Sequence, residues 1–73
     1  MNETESLILL GDNIRRYRER EGLTYQQLSD KVDVEVTNLI LLEAGQYDID
    51  TPYLFRIAKV LNVKMVDFVE GLV

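Results

Sequence analysis

The 73 residues contain neither cysteine nor histidine. Without cysteine there is no disulfide to staple a small fold and no thiolate to act as nucleophile or metal ligand, a composition that suits a reducing compartment. Without histidine the commonest general base, the usual zinc ligand and the pH switch near neutrality are all missing. Long apolar runs are missing too. None is longer than the four residues of 7–10, which fall far short of a membrane span or a signal-peptide core. No glycine-rich phosphate loop, HExxH or EF-hand spacing occurs. Asp48 and Asp50 are paired carboxylates of a kind that can do acid–base work. They flank a predicted helix start, however, where acidic side chains favour the helix dipole. A helical chain of this length also has little volume for a substrate pocket. An enzyme, a cofactor and a metal site are therefore not expected.

What is present is an apolar fraction of 47% at helical spacing, which predicts a globular chain and one domain spanning residues 1–73. That size lies near the limit at which a single core stabilises a fold. Thirteen acidic against eight basic residues give a net charge of −5, where a DNA-binding module usually carries a basic face. The distribution of charge along the chain therefore decides more than its sum. Residues 1–6 are polar and read as a flexible start, with Thr4 or Ser6 as candidate helix caps. A first helix follows to about residue 21, burying the stripe Leu7, Leu10, Ile14 and Tyr17. Arg15, Arg16 and Arg20 alternate with Glu19 and Glu21 on its other side, the pattern of a solvated face.

The chain is organised around residues 22–45, which read as two short helices joined by a tight turn. Thr24 with Gln27 three residues later is a capping box, and Leu23 with Leu28 forms a hydrophobic staple around it. The spacing predicts a helix over 25–32, a turn through Asp33, which tolerates a left-handed backbone, and a second helix over 35–44. Gly45 closes the second helix. Inward positions are Leu23, Leu28, Val32, Val34, Leu39 and Leu42. Thr51-Pro52 predicts the start of a fourth helix, with threonine as cap and proline at the first helical position. Leu54, Ile57, Ala58 and Leu61 form its buried face, and Asn62 is a left-handed stop. A short last helix over 65–70 brings Met65, Phe68 and Val69 to the core.

Helix, three- or four-residue turn and second helix make a helix-turn-helix. The segment resembles that of the Cro and phage-repressor family of small transcriptional regulators. The likeness extends from Leu10-Gly11-Asp12-Asn13-Ile14-Arg15-Arg16 through Leu54-Phe55-Arg56-Ile57-Ala58-Lys59-Val60-Leu61-Asn62-Val63. The resemblance implies an all-α, five-helix domain like the DNA-binding domains of Cro-type repressors. It implies that Arg18 pairs with Glu43, tying the first helix to the third. It also implies that the second motif helix enters the major groove and that the C-terminal helices form a homodimer contact.

The outward positions of that helix depart from the family's pattern. Family members usually show serine, arginine, glutamine, lysine or asparagine there. Here the residues are Glu35, Val36, Thr37, Ile40, Leu41 and Ala44, and Tyr25 stands where a DNA-contacting glutamine is common. Lys31 is the only cation in the two motif helices, although phosphate neutralisation by lysine and arginine supplies most non-specific affinity for DNA. A helix apolar on both sides is normally buried on both. Burying Val36, Ile40 and Leu41 against a partner would contribute on the order of 5–8 kcal/mol before association costs. Tyr25 and Tyr47 bracket the patch, and tyrosine is enriched at interface hot spots. The expectation favoured by these side chains is a non-enzymatic module whose helix 3 face binds another protein, as a natural interaction domain or an engineered binder. The alternative is a sequence-specific DNA-binding regulator acting as a homodimer, with Gln26, Thr37, Asn38 and Gln46 as its hydrogen-bonding groups. Phe55, Val66, Leu72 and Val73 are candidates for the homodimer contact. A cytoplasmic location without a membrane segment is expected on either reading.

Overall fold

The computed structural model describes residues 3–68, and every regular element among them is an α-helix: α1 (Glu3–Arg20), α2 (Tyr25–Val32), α3 (Val36–Glu43), α4 (Thr51–Val60) and α5 (Met65–Phe68). Local chemistry accounts for most boundaries. The Thr24 hydroxyl accepts from the Gln27 backbone N–H at 3.1 Å, and the Gln27 side-chain oxygen accepts from the Thr24 N–H at 2.8 Å. Each thereby satisfies a donor that the helix start leaves without an intrahelical partner. Asp33 ends α2 at φ 60°, with its N–H donating to the Ser29 carbonyl at 2.9 Å. Asn62 does the same after α4, at φ 58°. Both residues belong to the small set whose side chains make the left-handed region tolerable.

Several ends differ from expectation. α1 already includes Glu3, so Thr4 and Ser6 lie inside the helix and do not cap it. Glu35 is the N-cap of α3 and Ala44 its C-cap, so the helix proper is shorter than predicted at both ends. Asp50, not Thr51, caps α4, which places Pro52 in the first turn, where its missing N–H loses nothing. The predicted continuation of α5 through Val69 and Glu70 lies outside the described residues, as do Leu72 and Val73.

One apolar cluster joins all five helices. Ile14, Leu28, Val32, Leu39, Leu42, Ile57, Leu61 and Phe68 are fully buried, and Val34 and Ile49 reach the same cluster from the connections flanking α3. α1 packs on α3, α2 on α3 and α4, and α5 closes against α1 and α4. That closure has a polar component. The Asn13 side-chain amide donates to the Phe68 carbonyl at 2.8 Å inside the core. Phe68 also sits against the Tyr17 ring at 5.9 Å between centroids. Arg20 crosses from α1 to the end of α4, donating to the Leu61 carbonyl at 3.0 Å with its guanidinium over the Tyr17 ring. None of the described helices is long and apolar enough to cross a membrane.

Candidate functional site

What positions α3 is a set of contacts with α1 and α2 that leave it little freedom. Arg18, on α1, donates from Nε to Glu43 Oε2 at 2.7 Å and from Nη2 to Oε1 at 3.0 Å. Its Nη1 donates to the Leu23 carbonyl at 2.9 Å. Tyr25, the first residue of α2, donates its hydroxyl to Glu43 Oε1 at 2.9 Å, and its ring lies under the Arg18 guanidinium, 4.1 Å from the centroid. The side chains of Arg18 and Glu43 keep only 11% and 3% of their accessibility. A fork-to-fork arginine–carboxylate pair at this depth is worth more than a surface one, because water does not screen it. The hydrogen bond to Glu43 holds the Arg18 pKa above its ordinary value, with burial working against it. Burial first, and the Glu43 hydrogen bond second, push the Tyr25 hydroxyl up. Both shifts favour the forms that make these contacts, the charged Arg18 guanidinium and the neutral Tyr25 hydroxyl.

The backbone adds a second constraint. Gly11 lies in mid-α1, where a Cβ would collide with the Leu42 carbonyl oxygen and come within 2.7 Å of that of Glu43. Gly45, at φ 75°, would put a Cβ 2.8 Å from the Ile8 backbone. Two glycines thus let α1 press directly on the C-terminal end of α3.

On the other side of α3 the predicted residues sort by exposure. Glu35, Thr37, Ile40 and Ala44 are exposed, Ile40 at 46%. Val36, Asn38 and Leu41 are half-buried, while Leu39 and Leu42 are in the core. This corrects the continuous apolar patch expected from the sequence. Leu41 keeps only an intermediate share of its surface. Tyr25 is committed to Glu43 and Arg18, and Tyr47 packs against the core. Of the aliphatic triad Val36, Ile40 and Leu41, only Ile40 is exposed, so the area available for a protein contact is smaller than predicted.

The charged and polar residues are similarly distributed. A cleft of ≈ 360 Å³ runs beside the start of α3, lined by Asp33, Val34, Glu35, Asn38, Tyr47, Ile49, Asp50 and Tyr53. Its three carboxylates make that flank unfavourable to phosphate. Glu35 makes no side-chain capping bond to α3. Gln26 and Gln46 are exposed, and the Gln26 amide donates to Asp30 at 2.9 Å. Lys31 is exposed at the end of α2. Arg15 and Arg16 share Asp12 as a partner on α1, with Glu19 also beside Arg15. Sequence reasoning missed the Tyr25–Glu43 hydrogen bond and the Asn13–Phe68 closure, which join residues distant in the chain and have no local signal. The steric role of Gly11 likewise depends on α3, which is distant in the chain. An isolated glycine inside a helical pattern was the available hint.

Known proteins resemble this chain in sequence and in fold. A family model described as helix-turn-helix matches residues 14–68. An uncharacterized HTH-type transcriptional regulator of Archaeoglobus fulgidus is 33% identical over 54 residues, covering 74% of this chain and 77% of the relative. The uncharacterized HTH-type transcriptional regulator MJ0272 of Methanocaldococcus jannaschii is 34% identical over 56 residues, covering 77% and 85%. Among solved structures, the clp gene regulator ClgR from C. glutamicum superposes with a TM-score of 0.81 at 24% identity, covering 85% of this chain and 80% of that one. These matches overturn the expectation of a module specialised for a polypeptide target. The relatives are named as transcriptional regulators, and Val36 and Leu41 of the patch on which that expectation rested are half-buried. With three-quarters of its length matched by the model and regulators of similar size above 30% identity, the chain belongs to the Cro/C1-type helix-turn-helix family.

Proposed function

We propose that this chain is a non-enzymatic, cytoplasmic transcriptional regulator that binds duplex DNA by placing the exposed face of α3 in the major groove. The observation that carries the reading is the rigid mounting of α3. The Arg18–Glu43–Tyr25 cluster and the close α1 contact hold a helix whose Thr37, Ile40 and Ala44 side chains remain exposed. A groove-reading helix needs that combination of fixed orientation and free outer face. Thr37, Asn38, Gln26 and Gln46 supply the hydrogen-bonding groups, with Glu35 at the helix start. A homodimer matches the two half-sites such motifs read. Phe55, exposed at 56%, and Val66, at 64%, are the apolar side chains on α4 and α5 available for it.

Charge sets the expected behaviour. With Lys31 as the only cation in the motif helices, few phosphates are neutralised per protomer. Each neutralised phosphate contributes a slope of about −0.9 in log K against log salt. Fluorescence anisotropy of a labelled duplex is expected to show binding at low ionic strength with a shallow slope, roughly −1 to −2 per protomer, and two chains per duplex at saturation. Failure to bind any duplex even at low salt would contradict the reading.

A further inference from the structure

The chemistry of α3 also narrows which base pairs it reads, an inference that rests on the groove-reading role proposed above. Guanine is recognised in the major groove chiefly by paired donors from arginine or lysine to O6 and N7. α3 has neither residue, and neither does its N-cap or its C-cap. What it exposes is the Thr37 side chain, the Ile40 side chain and the Ala44 methyl. Thr37, Ile40 and Ala44 are spaced by three and then four, so they lie in one row along the helix. At 1.5 Å rise per residue that row is about 10 Å long, the length of three base-pair steps.

The base-edge group that complements an aliphatic row is the thymine 5-methyl, the one apolar feature of the major groove. Ile40 is central, because it is the large apolar side chain on this face that the fold leaves in solvent while Val36 and Leu41 are half-covered. Glu35 precedes the row and makes no capping bond to its own helix. Its carboxylate can accept only from an amino group, N4 of cytosine or N6 of adenine. We propose that α3 selects half-sites by packing Ile40, flanked by Thr37 and Ala44, against thymine 5-methyl groups, and that it makes no paired-donor contact to guanine. The preference is for A·T pairs in the centre of each half-site, read through methyl groups and not through charge.

The test uses the full chain and duplexes enriched by it from a random pool. Replacing the half-site thymidines with deoxyuridine removes only the methyl group. Affinity is expected to fall about fourfold for each contacted methyl, the value of one buried methyl-sized group. Ile40→Ala, at an exposed position, is expected to keep the melting temperature and to reduce the deoxyuridine effect to near onefold. Replacing half-site guanines with 7-deazaguanine is expected to leave affinity unchanged. Equal binding of thymidine and deoxyuridine duplexes, or weakening by 7-deazaguanine, overturns this inference while leaving groove binding intact. A pool that enriches nothing, with no duplex bound at low salt, overturns the groove-reading role and this inference with it.

Discussion

Replacing Arg18 with methionine is expected to lower the free energy of unfolding by about 3 kcal/mol, read as a shift in the urea midpoint at constant slope. The substitution keeps an apolar stem of similar length but removes three donors at once, two to Glu43 and one to the Leu23 carbonyl. Glu43 would then be a carboxylate exposed over only 3% of its side chain, left with the Tyr25 hydroxyl as its remaining partner in the cluster. A buried charge without its counter-ion is a larger penalty than the pair itself is a gain. The double variant Arg18→Met with Glu43→Leu is therefore expected to recover much of the loss. For a domain of this size total stability is about 4–11 kcal/mol, so the single variant removes a large part of it. A loss below about 1 kcal/mol would show that the pair behaves like an exposed one and does not brace α3.

Gly11→Ala is the second large effect. At an unconstrained helix-interior site the change would stabilise by about 1 kcal/mol, since alanine is the better helix former. Here the added methyl would meet backbone atoms of Leu42 and Glu43, which cannot rotate away as a side-chain tip can. α1 would have to lift from α3, and a net loss of about 2 kcal/mol or more is expected, since overpacking of this kind outweighs the propensity gain. The thermal midpoint reads the stability change. Duplex affinity is expected to fall as well, because α3 takes its orientation from this contact. A variant more stable than the parent would show that the close approach is not needed.

The two sites differ in how far sequence alone reveals them. Caps and left-handed turns are local, so Thr24, Gln27, Asp33, Gly45 and Asn62 announce themselves through residue type and spacing. The buried faces of α2 and α4 are legible for the same reason, as repeats of the helical period, whereas on α1 only Ile14 of the expected stripe is buried and Leu7, Leu10 and Tyr17 are half-buried. The Arg18–Glu43 pair is visible only through the family resemblance, because 25 residues separate the partners and no local rule connects them. Tyr25 illustrates the limit. A tyrosine beside an apolar helix face has the composition of an interface, yet its hydroxyl is taken by Glu43 and its ring by Arg18.

The same limit explains why the functional expectation favoured the wrong class of partner. The helical period assigns outward positions but does not say where α1 lies. Gly11 and Gly45 bring α1 onto the C-terminal end of α3, the end that carries Leu41, and Val36 is half-covered at the other. Ile49, in the connection before α4, is buried although nothing in its local pattern separates it from an exposed loop residue. An aliphatic side chain on a groove-facing helix is also chemically ambiguous. A thymine methyl and a leucine methyl present the same apolar surface to it.

The most direct measurement is an amide chemical-shift map of the labelled chain titrated with duplex DNA at low salt. The largest changes are expected at Glu35, Thr37, Asn38, Ile40 and Ala44, with Gln26, Lys31 and Gln46 at the margins and α4 little affected apart from any dimer contact. Changes centred on α4 and α5, or a spectrum that duplex leaves unmoved, would contradict groove reading by α3.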